Sequence, residues 1–410
     1  MSGITHEQQV LFLLLGNALF LRGDKIPDDV DWNVVLREAR QQAVLPLAWE
    51  AAKGCLSGPA AEAIDRQVGE IVVNDMYIDF DHVELHSCMQ AAGIPYVVMK
   101  GSASAAYYPQ PMLRMMGDVD FLVHREDVQR AGEALLAQGF QAREGQDETI
   151  HRAYTRNNDP THSSEWELHW RPNGIPSNAT GEKIWELLSD SVETACLHET
   201  ENGCYMVPDD FHHGLMLLVH TAMHLMHSGV GLRHLCDWAV FSDSLPTERF
   251  CALFEGPLQE VGLWGFASAL TACAARYLGC CAPRWAELVP EELLEALMLD
   301  ILAGGNFGKK DRGRLDQARF LVDREQGVVG KNVGGKNLLS ALSVKARRSL
   351  PFLERAPFLL PVGWAWVSVR HLLRIARGKR PAIRLDETLG AAEKRSELYK
   401  QLRLFEPWEG

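Results

Sequence analysis

The sequence predicts an α+β fold in which a small α/β module lies between N-terminal helices and a larger C-terminal helical domain. At 410 residues the chain is too long for one ordinary hydrophobic core. Its composition, 47% hydrophobic and 23% charged, is typical of a folded globular protein and excludes a disordered or fibrous chain. Apolar residues at helical spacing dominate both ends of the chain, whereas β-branched and aromatic runs cluster between residues 94 and 170.

The first 90 residues are predicted to form an N-terminal helical segment, residues 1–90. Residues 8–21 are mostly apolar, and residues 32–43 follow a loop that carries capping residues. Residues 60–90 place apolar side chains at three- and four-residue spacing. This spacing predicts either one long helix or two helices in succession.

The pattern then changes to that of an α/β core, which we place at residues 91–175. Runs of β-branched and aromatic residues predict four strands, and amphipathic stretches between them predict two helices. The predicted strands cover residues 94–99, 118–123, 150–155 and 165–170, and the predicted helices cover residues 103–108 and 126–138.

The rest of the chain is predicted to be mainly helical, with a helical domain over residues 176–340 and a basic C-terminal helical segment over residues 341–410. Residues 306–337 are rich in glycine and charge, which predicts a mobile loop. Helical patterns are plainest at residues 211–227, 232–243 and 263–302.

Charge is spread unevenly along the chain. The formal net charge of −13 argues against general nucleic-acid binding, because that binding needs Lys and Arg to neutralise phosphates. Residues 341–380 nevertheless carry +8, which leaves −21 for the rest. Trp364 and Trp366 beside these cations suit peripheral contact with an anionic membrane surface; the alternative is a solvated helix face that covers the acidic remainder. The basic residues of the segment are Lys345, Arg347, Arg348, Arg355, Arg370, Arg374, Arg377, Lys379 and Arg380.

Cysteine usage and the N-terminus predict a cytoplasmic protein. The nine cysteines are scattered without a CxxC pair, which favours reduced thiols. No basic region precedes an apolar stretch at the N-terminus, so no signal peptide is expected. The longest apolar run near the C-terminus, residues 357–369, contains two prolines and is too short to span a bilayer.

Two aspartates mark the candidate chemistry. Asp118 and Asp120 stand two residues apart at the start of a predicted strand, where such residues point to the same side. Two adjacent carboxylates repel each other and raise each other's pKa unless a cation lies between them. Mg²⁺ suits this position, because it binds carboxylate oxygens together with substrate phosphates. An exposed strand edge or a helix N-cap region is the alternative explanation.

The motifs on either side favour a metal site. Lys100-Gly101-Ser102 follows the first predicted strand as a glycine turn, where backbone N–H groups and a hydroxyl can meet phosphate oxygens. On a later strand Glu165, Glu167 and His169 alternate onto one face. One of these two carboxylates would complete a three-acid site suited to displacement at phosphorus.

The order of these motifs resembles the nucleotidyltransferase superfamily that shares the DNA polymerase β palm. Within it, the bacterial family described as uncharacterised nucleotidyltransferases is the most similar branch. The resemblance covers about residues 94–172 and is expected to extend over the helices to residue 241. The motifs that carry it are Lys100-Gly101-Ser102, then Arg114-Met-Met-Gly117-Asp118-Val-Asp120-Phe-Leu-Val, then Glu167-Leu-His-Trp170.

The resemblance implies a reaction and roles for these residues. A nucleoside monophosphate would pass from an NTP, with ATP expected, to a hydroxyl-type acceptor (small molecule, saccharide or peptide), with Mg²⁺ or Mn²⁺ as cofactor. Gly101 and Ser102 would bind phosphate, Asp118 and Asp120 the metal, and Glu167 would be the third carboxylate, which receives the proton of the attacking hydroxyl.

Two features depart from the superfamily pattern. Fifteen residues separate Ser102 from Asp118, more than the usual spacer. The third acid is Glu where many relatives have Asp, and Glu165 is the rival of Glu167 for this position.

Two cations before the aspartates are predicted to bind nucleotide. Arg114 is expected to clamp the triphosphate or to form an ion pair that holds the acidic strand, and Lys100 is expected to contact phosphate. On the later strand, His169 is expected to orient Glu167 or to line the pocket.

A histidine-rich helix follows the α/β core. His220, His224 and His227 share one face of it at four- and three-residue spacing. The HxxxH pattern can bind zinc, but the Glu of a protease HExxH is missing. The helix alternatively packs on the α/β core with its polar residues paired, or directs His220, His224, Arg233 and Asp237 into the substrate cleft.

Three other functions remain open. The first is transfer of a nucleotide to a protein or tRNA, as in toxin-type relatives. The second is a catalytically inactive module that binds nucleotide or a partner. The third is an envelope-associated accessory protein that docks through its basic C-terminus.

Overall fold

The computed structural model describes residues 3–143, 150–158, 162–311, 313–323, 328–329, 335–376 and 385–407. These residues form the predicted α+β fold, in which helices surround one five-stranded sheet.

The N-terminal segment is helical, as predicted. A capping box begins its first helix, because Thr5 Oγ1 accepts from the Gln8 N–H and Gln8 Oε1 accepts from the Thr5 N–H. The stretch at residues 60–90 is one long helix, which ends at Gly93 with a left-handed φ of 62°. The four helices are α1 (His6–Phe20), α2 (Trp32–Gln41), α3 (Leu45–Ala52) and α4 (Pro59–Ala92).

The central module contains the predicted strands and adds a short fifth one. Its sheet has the order β1-β2-β5-β4-β3, in which only β2 and β5 run parallel. The parallel pairing sets Asp120 directly opposite Glu167. The elements are β1 (Tyr96–Val98), α5 (Gly101–Ala105), β2 (Val119–Val123), α6 (Val128–Ala137), β3 (Gln141–Ala142), β4 (His151–Asn157) and β5 (Ser163–His169).

The following region is helical except for a hairpin that was not predicted. Glu201 and Asn202 form its two-residue turn, and Gly203 begins the second strand with a positive φ of 149°. Buried Tyr205 in its second strand contacts α4 through a hydrogen bond to Asp79. The elements are α7 (Ala179–Leu187), β6 (Cys196–Thr200), β7 (Gly203–Val207), α8 (Asp210–Met226), α9 (Leu232–Ser244), α10 (Thr247–Glu260), α11 (Trp264–Cys273) and α12 (Glu291–Gly304).

The prediction of a mobile loop at residues 306–337 is wrong for much of that range. A helix within it is held by a buried ion pair between Arg314 and Asp300 at 2.8 Å, a partner that sequence pattern does not reveal. Residues 312, 324–327 and 330–334 lie outside the described residues. The elements of the C-terminal part are α13 (Arg314–Leu321), β8 (Val322–Asp323), β9 (Val328–Val329), α14 (Gly335–Ser349), α15 (Leu360–Ala376) and α16 (Leu385–Gln401).

The largest cluster of buried apolar residues joins the N-terminal helices to the later helical region. It includes residues of α1 and α3 together with residues of α8, α9, α11, α12 and α16. A second cluster lies around the sheet, and a third and smaller one joins α14 to α15. The four predicted chain regions therefore share packing, and their division stays a prediction that limited proteolysis would test.

Candidate active site

One cavity of about 320 Å³ lies between the sheet and the helices α8 and α9. Its volume falls within the range of small-molecule sites. The central module contributes three acidic residues with Lys100 and Arg114, and the helical side contributes three histidines with Arg233 and Asp237. The lining residues are Lys100, Gly101, Arg114, Gly117, Asp118, Asp120, Glu167, Asn173, Leu217, His220, His224, Arg233, His234, Asp237 and Phe307.

The acidic wall of the cavity is built by strand register. Asp120 on β2 and Glu167 on β5 are paired residues of two parallel strands, so their side chains leave the same face of the sheet. The structure thus brings these two predicted ligands together. Glu165 pairs instead with Arg143, outside the cavity, which favours Glu167 over its rival as the third carboxylate.

Asp120 is the most strongly compensated acid of the cavity. Lys100 Nζ lies 2.8 Å from its Oδ2, and His169 Nε2 lies 2.9 Å from its Oδ1 and 3.2 Å from Glu167 Oε2. Although burial alone would raise the pKa of Asp120, the Lys100 ammonium and the contact with His169 hold it far below its usual value. Burial acts to lower the pKa of His169, but its hydrogen bonds to the two carboxylates more than offset this and raise it above its usual value.

Asp118 lies immediately before β2 rather than within it. Its side chain is exposed and lines the same cavity. Repulsion from Asp120 is the main reason that the pKa of Asp118 is raised to about 6. Repulsion between the two aspartates therefore persists although Lys100 lies beside them, which is the electrostatic conflict expected of a cation site.

Asp75 of α4, a residue that sequence reasoning missed, holds the loop before Asp118. Its Oδ1 accepts the Met116 N–H at 3.1 Å, and burial raises its pKa to about 7. Asp75 is fully buried, at 0% exposure. The residues around it show only the apolar spacing of a helix, so the sequence carried no signal of this contact.

The donor set fits a divalent cation. Among the described residues, Asp120, Glu167 and His169 form one group whose ligand atoms lie within 4.8 Å of one another. Asp118 lies outside that group but adds a third carboxylate to the same cavity. Carboxylate oxygens are the ligands that Mg²⁺ and Mn²⁺ prefer. Three carboxylates against the one ammonium of Lys100 leave negative charge for such an ion to neutralise.

The glycine turn is formed as predicted, but its hydroxyl points elsewhere. Lys100 and Gly101 both have positive φ, 59° and 45°, which turns the chain sharply into α5. Gly101 lines the cavity, whereas Ser102 is 2% exposed and its hydroxyl contacts Met116 Sδ and His82 Nδ1 at 3.3 and 3.2 Å. The structure therefore places the Ser102 hydroxyl away from the predicted phosphate contact, because the turn directs it inward toward α4.

Arg114 and Asp237 are partners of each other. The Arg114 guanidinium forms two hydrogen bonds to the Asp237 carboxylate, at 2.7 and 2.8 Å, and Tyr108 donates to Asp237 at 2.7 Å. Both charged side chains are almost fully buried, at 6% and 4% exposure. Arg114 thus fixes α9 to the central module rather than holding the acidic strand, and its charge is already neutralised.

Arg233 is a different kind of cation. It donates to the Met115 carbonyl at 3.0 Å, and its buried Nε has no hydrogen-bond partner among the described residues. No carboxylate of the described residues forms an ion pair with Arg233. Burial, and then repulsion from Arg114, lowers the pKa of Arg233. This guanidinium lies over the Phe307 ring at 5.2 Å and lines the cavity without an ion-pair partner among the described residues, so it favours an anionic ligand.

Neutral histidines and Phe307 complete the helical wall. Burial lowers the pKa of His224 to about 3 and those of His220 and His234 well below their usual value. His220 and His224 are paired through their Nε2 atoms at 3.0 Å. Among the described residues they form no metal-ligand group with a third residue, so the zinc alternative gains no support.

Phe307 and His234 were missed by sequence reasoning. The Phe307 ring lies 4.7 Å from that of His224 and 5.2 Å from that of His234. Phe307 has a positive φ of 53° between two left-handed glycines, within the range predicted to be a mobile loop. The Gly-Gly-Asn-Phe-Gly sequence at residues 304–308 was the available signal of a tight turn.

The comparison with protein families agrees with the family that the order of the motifs predicts. The family described as uncharacterised nucleotidyltransferase matches residues 28–279, more than half of the chain. A comparison with curated proteins finds no match. Among solved structures, an antigenic nucleotidyltransferase-like protein from Paracoccidioides brasiliensis is 14% identical, with a TM-score of 0.29, over 50% of this chain and 92% of that one. At that score the likeness adds no argument, and the family match decides: the chain belongs to the uncharacterised nucleotidyltransferase family.

Proposed function

We propose that this protein is a metal-dependent nucleotidyltransferase that moves a nucleoside monophosphate from an NTP, with ATP expected, to a hydroxyl-type acceptor and releases pyrophosphate. The acceptor class we expect is a small molecule, saccharide or peptide. One observation carries the proposal. The carboxylates of Asp118, Asp120 and Glu167 line one side of a cavity. Arg233, which has no ion-pair partner among the described residues, lines the side formed by the helices. A metal-bound triphosphate needs both sides, because its cation binds carboxylates and its oxygens bind an arginine.

The acidic wall would hold the metal. Asp120 and Glu167 lie within ligand distance of one point, and Asp118 has an exposed side chain at the edge of the same cavity. Mg²⁺ or Mn²⁺ bound there would supply charge neutralisation at the phosphates and would position them for displacement at phosphorus. His169 would act from behind, by holding the two carboxylates in a fixed orientation.

The opposite wall would hold the phosphates. Arg233 is the cation best suited to this role, because Arg114 is neutralised by Asp237. Lys100 now pairs with Asp120 and would become available to phosphate once Asp120 binds a cation. The backbone N–H groups at the start of α5 lie at the Lys100-Gly101 turn, beside the cavity, and suit phosphate oxygens.

The chemical step balances within these groups. The acceptor oxygen forms a bond to the α-phosphorus, the bond from that phosphorus to the bridging oxygen breaks, and pyrophosphate leaves with the electron pair. The acceptor proton passes to the carboxylate of Glu167, which is half-buried and lines the cavity. Alignment and charge neutralisation supply most of the catalysis in such transfers.

Calorimetric titration of the full chain with Mg²⁺ and a non-hydrolysable ATP analogue tests the proposal. We expect binding that requires the divalent ion and that falls at least about tenfold in Glu167→Gln. Glu165→Gln is the matched control, since it removes the same charge two residues away and outside the cavity. Equal binding by wild type and Glu167→Gln, or no binding of any Mg²⁺-nucleotide, would overturn the proposal. Labelled NTP with candidate hydroxyl acceptors would then identify the product.

A further inference from the structure

Helix α15 (Leu360–Ala376) is apolar on two faces, of which the described structure covers one. Its inner face packs on α14 and on residues that follow α14, in a small core around Ala346, Leu353 and Val367. Gly363 permits this close approach, since a Cβ there would lie 2.7 Å from Leu353 Cδ1. Trp364 faces the same way and donates its indole N–H to Ser343 Oγ at 3.0 Å. The inner face therefore accounts for the folding of this helical hairpin.

The outer face of α15 is the unusual one. It carries a stripe of large apolar side chains at spacings of four, three and four residues, which places them on one side of the helix. An exposed phenylalanine, Phe358 at 79%, extends the stripe beyond the start of the helix. Stripe residues and exposures are Val362 65%, Trp366 40%, Val369 55% and Leu373 49%. A contiguous apolar patch of this kind marks a binding surface rather than ordinary scattered exposure.

Two arginines of the described residues lie near this stripe. Arg370 lies over the Trp366 ring at 5.1 Å, and Arg355 is exposed just before the helix. Residues 341–380 carry nine basic residues and one acid, a net charge of +8, whereas the rest of the chain has a net charge of −21. Residues 377–380 lie outside the described residues, so the surface is defined here by Phe358 and α15 with Arg355.

We propose that this surface docks the protein on an anionic phospholipid membrane, with α15 lying in the interface. Aliphatic and tryptophan side chains flanked by arginine are the combination that binds the boundary between headgroups and acyl chains. The basic charge is complementary to anionic lipid and would face it while the acidic remainder faces away. Among the described residues, no helix is both long and apolar enough to cross a bilayer, so the contact is peripheral.

Sedimentation of the full chain with vesicles tests this proposal without any nucleotide, so its outcome is separate from that of the proposed function. The two vesicle types are phosphatidylcholine alone and phosphatidylcholine with phosphatidylglycerol, each at low and high salt. We expect binding to the anionic vesicles that weakens as salt screens the arginines.

The diagnostic variant is Val362→Gln with Val369→Gln. Both residues are exposed, so the hairpin core is unchanged, and we expect partitioning to fall at least about tenfold because two buried apolar contacts are lost. Val73→Gln on α4 is the matched control, a valine of 52% exposure outside the surface. A second variant, Arg355→Gln with Arg370→Gln, should remove most of the preference for anionic over neutral vesicles. Thermal unfolding confirms that each variant is folded.

Three results would overturn the proposal. The first is binding to anionic vesicles that Val362→Gln with Val369→Gln leaves unchanged, and the second is equally strong binding to neutral vesicles. The third is the absence of vesicle binding together with a self-association, measured by sedimentation equilibrium, that the same variant abolishes. In that case a second copy of the chain covers the stripe instead of lipid.

Discussion

The two walls of the cavity are built by different kinds of structure and carry charge differently. The strand wall places Asp120 and Glu167 side by side through backbone register, and Lys100 pairs with Asp120. The helical wall carries histidines whose pKa values burial lowers, and the cation Arg233, which has no ion-pair partner among the described residues. The strand wall therefore suits a cation and the helical wall suits an anion, as the proposed metal-bound triphosphate requires.

A second contrast lies between two arginines of the cavity, Arg114 in the loop before β2 and Arg233 in α9. Arg114 and Arg233 both line the cavity, but only Arg114 has a carboxylate partner among the described residues. Arg114 should therefore contribute mainly to folding stability, and Arg233 mainly to ligand binding. The variants below test these contrasts.

The largest effect is expected from Asp120→Asn in the strand wall. It removes the carboxylate nearest to both Glu167 and Lys100, and we expect nucleotidyl transfer to fall by roughly 10³-fold or more. The measurement is pyrophosphate release with the acceptor identified for the wild type. Glu165→Gln, on the neighbouring strand but outside the cavity, should keep activity within about twofold of wild type. Full activity of Asp120→Asn would contradict the assignment of the strand wall.

Arg114→Gln should mainly lower the free energy of unfolding. It leaves Asp237 buried at 4% exposure without its ion-pair partner, which costs about 3–5 kcal/mol. Chemical denaturation of the metal-free protein measures this loss. Arg276→Gln is the control, because the exposed pair of Arg276 with Glu291 should contribute less than about 1 kcal/mol. Equal small losses in both variants would mean that the buried pair does not anchor α9.

Arg233→Gln should weaken nucleotide binding while leaving stability almost unchanged. A charge-assisted hydrogen bond to phosphate contributes about 1.5–3 kcal/mol, so we expect affinity for Mg²⁺-ATP analogue to fall roughly 10–100-fold. Calorimetry on Arg233→Gln, Arg233→Lys and Arg276→Gln measures this, with partial retention expected in the Lys variant. Unchanged affinity in Arg233→Gln would place the phosphates elsewhere.

Metal affinity should rise with pH through the titration of Asp118. Its pKa of about 6 means that a proton occupies this carboxylate below pH 6 and competes with the metal. We expect Mg²⁺ affinity to increase between pH 5.5 and 7.5 and then to level off; the raised pKa of His169 acts in the same direction. Calorimetric Mg²⁺ titrations at both pH values measure the change. Asp118→Asn should flatten this dependence, and equal wild-type affinity at the two pH values would contradict the prediction.

The smallest effect is on the stability of the metal-free protein. Because the pKa of Asp118 is raised to about 6 in the folded state, its contribution to stability is present below about pH 4 and is lost as pH rises through 6. Asp118→Asn removes the repulsion with Asp120, so at pH 8 the variant should be slightly more stable than wild type. The exposed side chain limits the gain to under about 1 kcal/mol. Thermal unfolding at pH 5 and pH 8 measures it, and destabilisation at pH 8 would argue against repulsion between the two aspartates.

The sequence was sufficient for the parts of this protein that depend on local pattern. Strand periodicity predicted the α/β core and the acidic face that Asp120 and Glu167 share, because side chains alternate regularly along a strand. Asp118 was expected in the same strand as Asp120 but lies immediately before it. The order of the motifs also predicted the family that the match over residues 28–279 establishes.

Only the tertiary structure decided how the charges are paired. Arg114 and Asp237 are 123 residues apart, and nothing in local spacing shows that they neutralise each other. Nor does it show that Arg233 has no ion-pair partner among the residues that the structure describes. The packing of Phe307, in a stretch predicted to be a mobile loop, depended likewise on contacts with His224 and His234. Periodicity acts over a few residues, whereas the energy of a buried charge depends on partners that only the folded chain brings near.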